Sequence, residues 1–191
     1  MLPFTQNHSF SPYGYYTVPN ILNLSQIDTL KENITQINNQ TNHSSNHRKS
    51  NIKWIPQEEE WYWLYQIFNK SLSYANEQMW GFNLNFIFES IQYTEYSSEN
   101  LGEVGWHMDV GYNEASYRKL SIVYLLSHPS EYEGGELEFF VGGKYNQNII
   151  KIKKEFNTAI IFPSYLLHRV TPITKGLRKS LVLWVGGTPF K

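Results

Sequence analysis

The chain contains no cysteine. That excludes a disulfide framework, a thiolate metal site and a cysteine nucleophile. Charge is sparse as well: Asp, Glu, Lys and Arg make up 17% of the 191 residues and nearly cancel, leaving a net charge of −1. Such a balance gives no electrostatic pull toward nucleic acid or an anionic membrane surface, and neither is expected as a partner. No apolar run approaches membrane-spanning length. The opening residues, MLPFTQNHSFSPYGYY, lack the basic-then-apolar layout of a signal peptide, so a cytoplasmic protein is the expectation. The Asn-x-Ser/Thr triplets then read as a by-product of abundant asparagine.

Aromatic residues are plentiful at 16%, and 41% of the chain is apolar. This length suits one domain, residues 1–191, with a sizeable core. Two helices can be read in a helical N-terminal part, about residues 20–80. SQIDTLKENITQI starts at Ser25, an expected N-cap with Asp28 three residues on, and Ile27, Leu30, Ile34 and Ile37 keep a helical rhythm. PQEEEWYWLYQIFNKSLSYANEQMW places Pro56 at a helix start, followed by acids and a stripe of Trp61, Leu64, Phe68, Leu72 and Ala75. Between them, residues 38–51 are polar and aperiodic and read as an exposed loop.

From about residue 84 to 188 the texture is β. Strands are expected at 85–96, 119–127, 135–142, 157–164, 166–174 and 179–187, each bounded by Gly, Pro or polar turn residues. Helices followed by a run of short strands imply an α+β class: a sandwich or barrel with helices packed outside.

The chemistry concentrates in two places. GWHMDVGYNE spaces His107 and Asp109 by two, and in an extended segment both side chains share one face. An imidazole and a carboxylate side by side suit a divalent metal such as iron(II). Far downstream, His168 falls within an expected strand, facing the same way as Val170 and away from Leu167 and Arg169. Arg178 follows ten residues later at the entrance to the last strand. Ser180 and Trp184 share its face, while Leu181, Leu183 and Val185 take the other. An arginine turned inward on an apolar strand is costly unless it meets an anion, and a bidentate carboxylate suits its fork. His8, His43, His47 and His128 read as solvated or loop residues.

Together these motifs resemble the iron(II)- and 2-oxoglutarate-dependent dioxygenases, most closely their prolyl-4-hydroxylase-like branch. RKLSIVYLL before a GGEL turn, and AIIFPSYLLHRVTPITKGLRKSLVLW, carry the likeness over about residues 85–187. The resemblance implies a double-stranded β-helix, or jelly-roll, with the N-terminal helices against it. It implies His107, Asp109 and His168 as ligands of Fe(II), with O2 and 2-oxoglutarate as cosubstrates and ascorbate as a candidate additional cofactor. Arg178, Ser180, Tyr124 and Tyr96 would then hold 2-oxoglutarate, and Trp184 would line the substrate pocket. The implied reaction hydroxylates an amino-acid side chain, prolyl in a peptide or protein being the first choice, and releases succinate and CO2. Relatives that halogenate lack the carboxylate that Asp109 provides, which favours hydroxylation. Asn157 stands where a turn glycine is usual, and Asn tolerates the left-handed conformation.

Alternatives stay open at this point: a free amino acid or small metabolite as substrate, a nucleic-acid demethylase, or a non-catalytic cupin-like metal-binding module. The demethylase reading is weakened by Trp184, where such relatives carry a second arginine. The loops 38–51 and VGYNEASYRK are the expected sources of substrate selectivity. Composition and motifs leave the oligomeric state open.

Overall fold

The structure is a computed structural model that describes residues 9–87, 89–143 and 146–188; His8 lies outside them. In chain order come β1 (Ser9–Phe10), β2 (Tyr16–Pro19), α1 (Leu24–Gln36), β3 (Gln40–Ser44), β4 (Arg48–Ile55), α2 (Tyr62–Met79), β5 (Leu84–Phe86) and β6 (Ile91–Ser97). There follow β7 (Glu103–His107), β8 (Arg118–Leu125), β9 (Tyr132–Gly134), β10 (Leu137–Gly143) and β11 (Asn146–Lys151). Then come β12 (Thr158–Pro163), β13 (His168–Val170) and β14 (Ile173–Gly187). The strands form one antiparallel sheet in the order β1-β2-β12-β8-β14-β6-β4-β7-β13-β10-β11. The sheet curls on itself, giving an α+β fold of the jelly-roll type.

Period-two alternation divides each central strand between two cores. On β14, Leu181, Leu183 and Val185 join Leu120, Ile122 and Tyr124 of β8 beneath α1 and α2. The intervening residues face into the curl, where Val123, Leu125, Leu137, Phe139, Ile160 and Phe162 form a second cluster. Both faces of β8, β12 and β14 are thus covered, which is why these strands read as near-continuous apolar runs. Helix α2 buries Leu64, Phe68, Leu72 and Ala75 against the outer face, with Trp61 just before its first turn. Among the described residues no helix is long and apolar enough to cross a membrane.

Several expectations need correction. The cap of α1 is Asn23, not Ser25: its side chain accepts from the Gln26 backbone N–H at 2.9 Å, and Gln26 reciprocates. Helix α2 begins at Tyr62 after a 3-10 turn at Glu59–Trp61, several residues beyond Pro56. The expected loop at 38–51 is instead a hairpin of β3 and β4, paired from Gln40↔Lys53 to Ser44↔Lys49. Strand β3, QTNHS, is exposed throughout and has no apolar residue to announce it; backbone pairing alone holds it. Strand β4 inserts between β6 and β7, so the N-terminal part supplies sheet as well as helix. The strand expected at 85–96 breaks into β5 and β6, and the last strand starts earlier, at Ile173.

Candidate functional site

Strands β7 and β13 pair so that His107 lies directly opposite His168, with ring centroids 4.2 Å apart. Strand β7 ends at His107, so the spacing of two does not by itself align Asp109. Its position is set by the backbone, whose N–H donates to the Ser164 carbonyl at 2.8 Å. The Arg118 guanidinium donates to the Asp109 carbonyl at 3.0 Å. The Ser121 hydroxyl, buried beside that of Ser164, donates to the Asp109 carboxylate at 2.7 Å. The carboxylate oxygens stand 3.5 Å from Nε2 of His107 and 3.6 Å from Nε2 of His168. One ligand atom from each residue lies within 4.8 Å of the others.

Both imidazoles are oriented by backbone carbonyls. Nδ1 of His107 contacts the Gly105 oxygen at 2.8 Å, and Nδ1 of His168 contacts the Leu166 oxygen at 2.8 Å. A carbonyl only accepts, so each Nδ1 carries a proton and each Nε2, turned toward Asp109, is the ring atom placed to bind a metal. Burial acts to raise the Asp109 carboxyl, but the charges of His168 and His107 and its hydrogen bonds outweigh it and hold Asp109 well below the usual carboxylate range. Burial acts to lower His107, and the bond and charge of Asp109 overcome that to leave it above its ordinary value. Burial depresses His168, which the Asp109 charge only partly offsets. Asp109 is therefore ionised at rest, and the two Nε2 atoms that face it complete the donor set.

The pocket around this trio is bounded on one side by Val104, Leu137 and Val170 and on the other by Gln92, Tyr96, Val123, Arg178, Ser180, Val182 and Trp184. Arg178 is 1% exposed. Its Nη1 donates to the Ser180 hydroxyl at 2.9 Å, its guanidinium lies 5.4 Å from the Tyr96 ring centre, and its Nε and Nη2 have no protein partner. At the other end, Arg118 forms a two-pronged pair with Glu89, its Nε to Oε1 at 2.6 Å and its Nη2 to Oε2, and stacks 3.8 Å from the Trp184 ring centre. The Trp184 indole N–H is buried without a partner. A roomier cleft of about 540 Å³ beside α2 is lined by Gln57, Gln66, Asn69, Asn85 and tyrosines, and offers neither metal ligand nor fixed charge.

A family model described as the 2OG-Fe(II) oxygenase superfamily matches residues 91–186. The chain belongs to this superfamily. Over 81 residues the chain is 38% identical to a PKHD-type hydroxylase from Synechococcus sp. (strain CC9902), covering 42% of the chain and 35% of the relative. It spans little more than a third of the length of the curated relatives it matches. Its fold is similar to a Pseudomonas putida prolyl-4-hydroxylase, with a TM-score of 0.72 at 19% identity over 92% of this chain and 94% of that one. It also resembles a Trichoplax adhaerens prolyl hydroxylase in complex with a hypoxia inducible factor peptide fragment, at a TM-score of 0.73 and 18% identity over 92% and 84%.

The residues present fit the two groups that the superfamily uses. The trio has the borderline nitrogen and hard oxygen donors that suit iron(II), and both imidazole Nε2 atoms face inward. The two orphaned guanidinium nitrogens of Arg178 await a bidentate anion such as a carboxylate of 2-oxoglutarate.

One expected cosubstrate residue faces elsewhere. Tyr124 stands opposite Leu181 in the β8–β14 pairing and so shares its outward face. It packs on Phe68 of α2, and its hydroxyl donates to Asn157 Oδ1 at 3.1 Å. The residue that meets Arg178 instead is Tyr132 on β9, buried, its ring beside the arginine side chain at Gly135 and its phenol acted on by the guanidinium charge. A tyrosine just before the Gly134–Gly135 turn was its only sequence signal. Arg118, Glu89, Ser121, Ser164 and Arg48 carry no motif that marks them in the sequence. Asn157 does adopt a left-handed φ of 58°, and its amide ties down Leu22 through both backbone groups.

Proposed function

We propose that the protein hydroxylates an amino-acid side chain, most simply a prolyl residue in a peptide or protein, converting 2-oxoglutarate and O2 to succinate and CO2. The observation that carries this reading is the pocket itself. Two imidazole Nε2 atoms and an ionised carboxylate converge there, facing the same space as a buried guanidinium with two free donors. His107, Asp109 and His168 would hold iron(II), which supplies oxygen activation coupled to decarboxylation of the cosubstrate.

The chain's own residues do the rest. Arg178, helped by Ser180 and Tyr132, grips the far carboxylate of 2-oxoglutarate and fixes its keto-acid end toward the trio. Tyr96 covers the guanidinium and keeps water from it. Ser121 and the Ser164 backbone hold Asp109 in place, so the carboxylate does not swing away when the pocket is empty. Arg118, braced by Glu89, presses Trp184 into the pocket wall. Hydroxylation is supported by the name of the similar PKHD-type hydroxylases, and prolyl chemistry by that of the similar prolyl-4-hydroxylase. A peptide is further supported by the surface beside Asp109, where Met108, Tyr112, Tyr117 and Tyr165 are exposed, an apolar and aromatic rim of the sort that peptide interfaces use.

The test incubates the protein with iron(II), 2-oxoglutarate and a panel of proline-containing peptides, reading succinate release and a mass gain of one oxygen atom. Product with the parent and none with His107→Ala is the expected result. Turnover of small metabolites alone would remove the peptide clause.

A further inference from the structure

The chain has four arginines, Arg48, Arg118, Arg169 and Arg178. Two have carboxylate partners: Arg118 pairs with Glu89, and Arg169 with Glu138 at 2.8 Å. The other two, Arg48 and Arg178, have none among the described residues, and both line the pocket that holds the His–Asp–His trio. Unpaired guanidinium groups normally turn to solvent, so two converging on one cavity mark it as a place for anions.

Arg48 is held in that position. It lies on β4 directly opposite Val104 of β7, another pocket residue, so both point into the same space. Its Nε donates to the buried Ser50 hydroxyl at 2.9 Å, which fixes the plane of the guanidinium. The His47 carbonyl accepts from Gly105 N–H at 2.8 Å and ties the hairpin to the strand that carries His107. Arg48 is half-buried, and its charge is felt at His107. It therefore stands at the mouth, beside the trio, while Arg178 stands at the floor.

On the function proposed above, 2-oxoglutarate places one carboxylate at the metal trio and the other at Arg178, and both its anionic ends are then used. We infer that Arg48 binds a carboxylate of the prime substrate, so that the carbon hydroxylated lies close to an acid group. That group would be an acidic residue next to the target in a peptide, or the carboxylate of a free amino acid. The β3–β4 hairpin thereby becomes the specificity element, with Arg48 as its reading head.

The experiment uses the full chain with iron(II) and 2-oxoglutarate. Substrates are peptides carrying proline beside Asp or Glu, the same peptides with Asn or Gln, and free L-proline. A charge-assisted pair predicts a kcat/KM roughly tenfold to a hundredfold higher for the acidic member of each pair. Arg48→Gln should erase that preference through KM, and Arg48→Lys should restore part of it. Equilibrium titration of the acidic peptide should show the same loss of affinity in Arg48→Gln. Preference for acid-flanked peptides or for free L-proline supports the inference and identifies the source of the carboxylate. Equal turnover of acidic and neutral substrates overturns it, as does a rise in the 2-oxoglutarate KM of Arg48→Gln in place of the substrate KM. Absence of any 2-oxoglutarate consumption, with or without substrate, overturns the hydroxylase reading and this inference with it. Consumption without acid preference overturns the inference alone.

Discussion

Replacing Arg178 with methionine is expected to stabilise the protein in the absence of ligand while abolishing its response to 2-oxoglutarate. The guanidinium is 1% exposed, and its Nε and Nη2 have no protein partner. Each buried donor left unpaired costs about 1–3 kcal/mol. Against that gain, the variant loses the 2.9 Å bond to Ser180 and the Tyr96 ring 5.4 Å away, about 1 kcal/mol for each. Methionine fills a similar volume with apolar atoms, and exchanges of buried charge for packed apolar groups yield about 1–4 kcal/mol. For a chain of this size the melting temperature moves by roughly 2–4 °C per kcal/mol, so a rise of several degrees is expected. The parent should recover the difference when ligand is added: at a hundredfold excess over Kd, binding contributes about 2.7 kcal/mol. Thermal melts with manganese in place of iron, with and without 2-oxoglutarate, read both effects. A variant that melts below the ligand-free parent refutes the accounting of orphaned donors, and one that still shifts with 2-oxoglutarate refutes the anchoring role.

The two tyrosines near the cosubstrate should separate cleanly. Tyr132→Phe should raise the 2-oxoglutarate KM severalfold, since its hydroxyl lies within reach of the Arg178 charge, whereas Tyr124→Phe should leave that KM alone. The latter loses the bond to Asn157 and should lower the urea midpoint by the equivalent of about 1 kcal/mol; the opposite pattern of KM changes would return Tyr124 to the pocket. Alkaline stability should depend in part on Tyr65, which donates to the Ile55 carbonyl at 2.7 Å and accepts from Ile91 N–H at 2.9 Å. Burial pushes its phenol up to about 12, against an ordinary value of 10.0. The folded state thus prefers the neutral phenol, a contribution fully present below pH 10.0 and lost as pH rises toward 12. Urea midpoints measured across that window should fall less steeply for Tyr65→Phe, and an identical slope would rule out Tyr65 as the source.

The faces of β14 could be read without coordinates because each face has its own chemistry. Leu181, Leu183 and Val185 can only be core, which leaves Arg178, Ser180 and Trp184 on the other side, and the strand is regular enough to preserve that parity. Tyr124 shows where such reasoning stops. Its own strand is apolar on both faces, so nothing local says which one meets Arg178. The answer lies in register, Tyr124 opposite Leu181, and register between strands more than fifty residues apart leaves no trace in either one. The β3–β4 hairpin was hidden for a related reason: a strand exposed on both sides has no apolar alternation to reveal it.

A sharper division runs through the site. Residues whose type demands a partner, such as an arginine on an apolar strand or a histidine beside a carboxylate, raise their own question in the sequence. Residues that meet the demand are ordinary: Ser121 and the Ser164 backbone for Asp109, Glu89 for Arg118, the Gly105 and Leu166 carbonyls for the two imidazoles. Carbonyls are present at every position and serine is common, so neither stands out until the fold brings it within 3 Å. This is why Arg48 carries more information than its neighbours in the hairpin. Arg118 and Arg169 have their carboxylates within the chain, and on the proposed function Arg178 takes the far carboxylate of the cosubstrate. Arg48, pinned by Ser50, faces the same cavity and has no acid among the described residues, which is why the inferred partner is a carboxylate of the substrate.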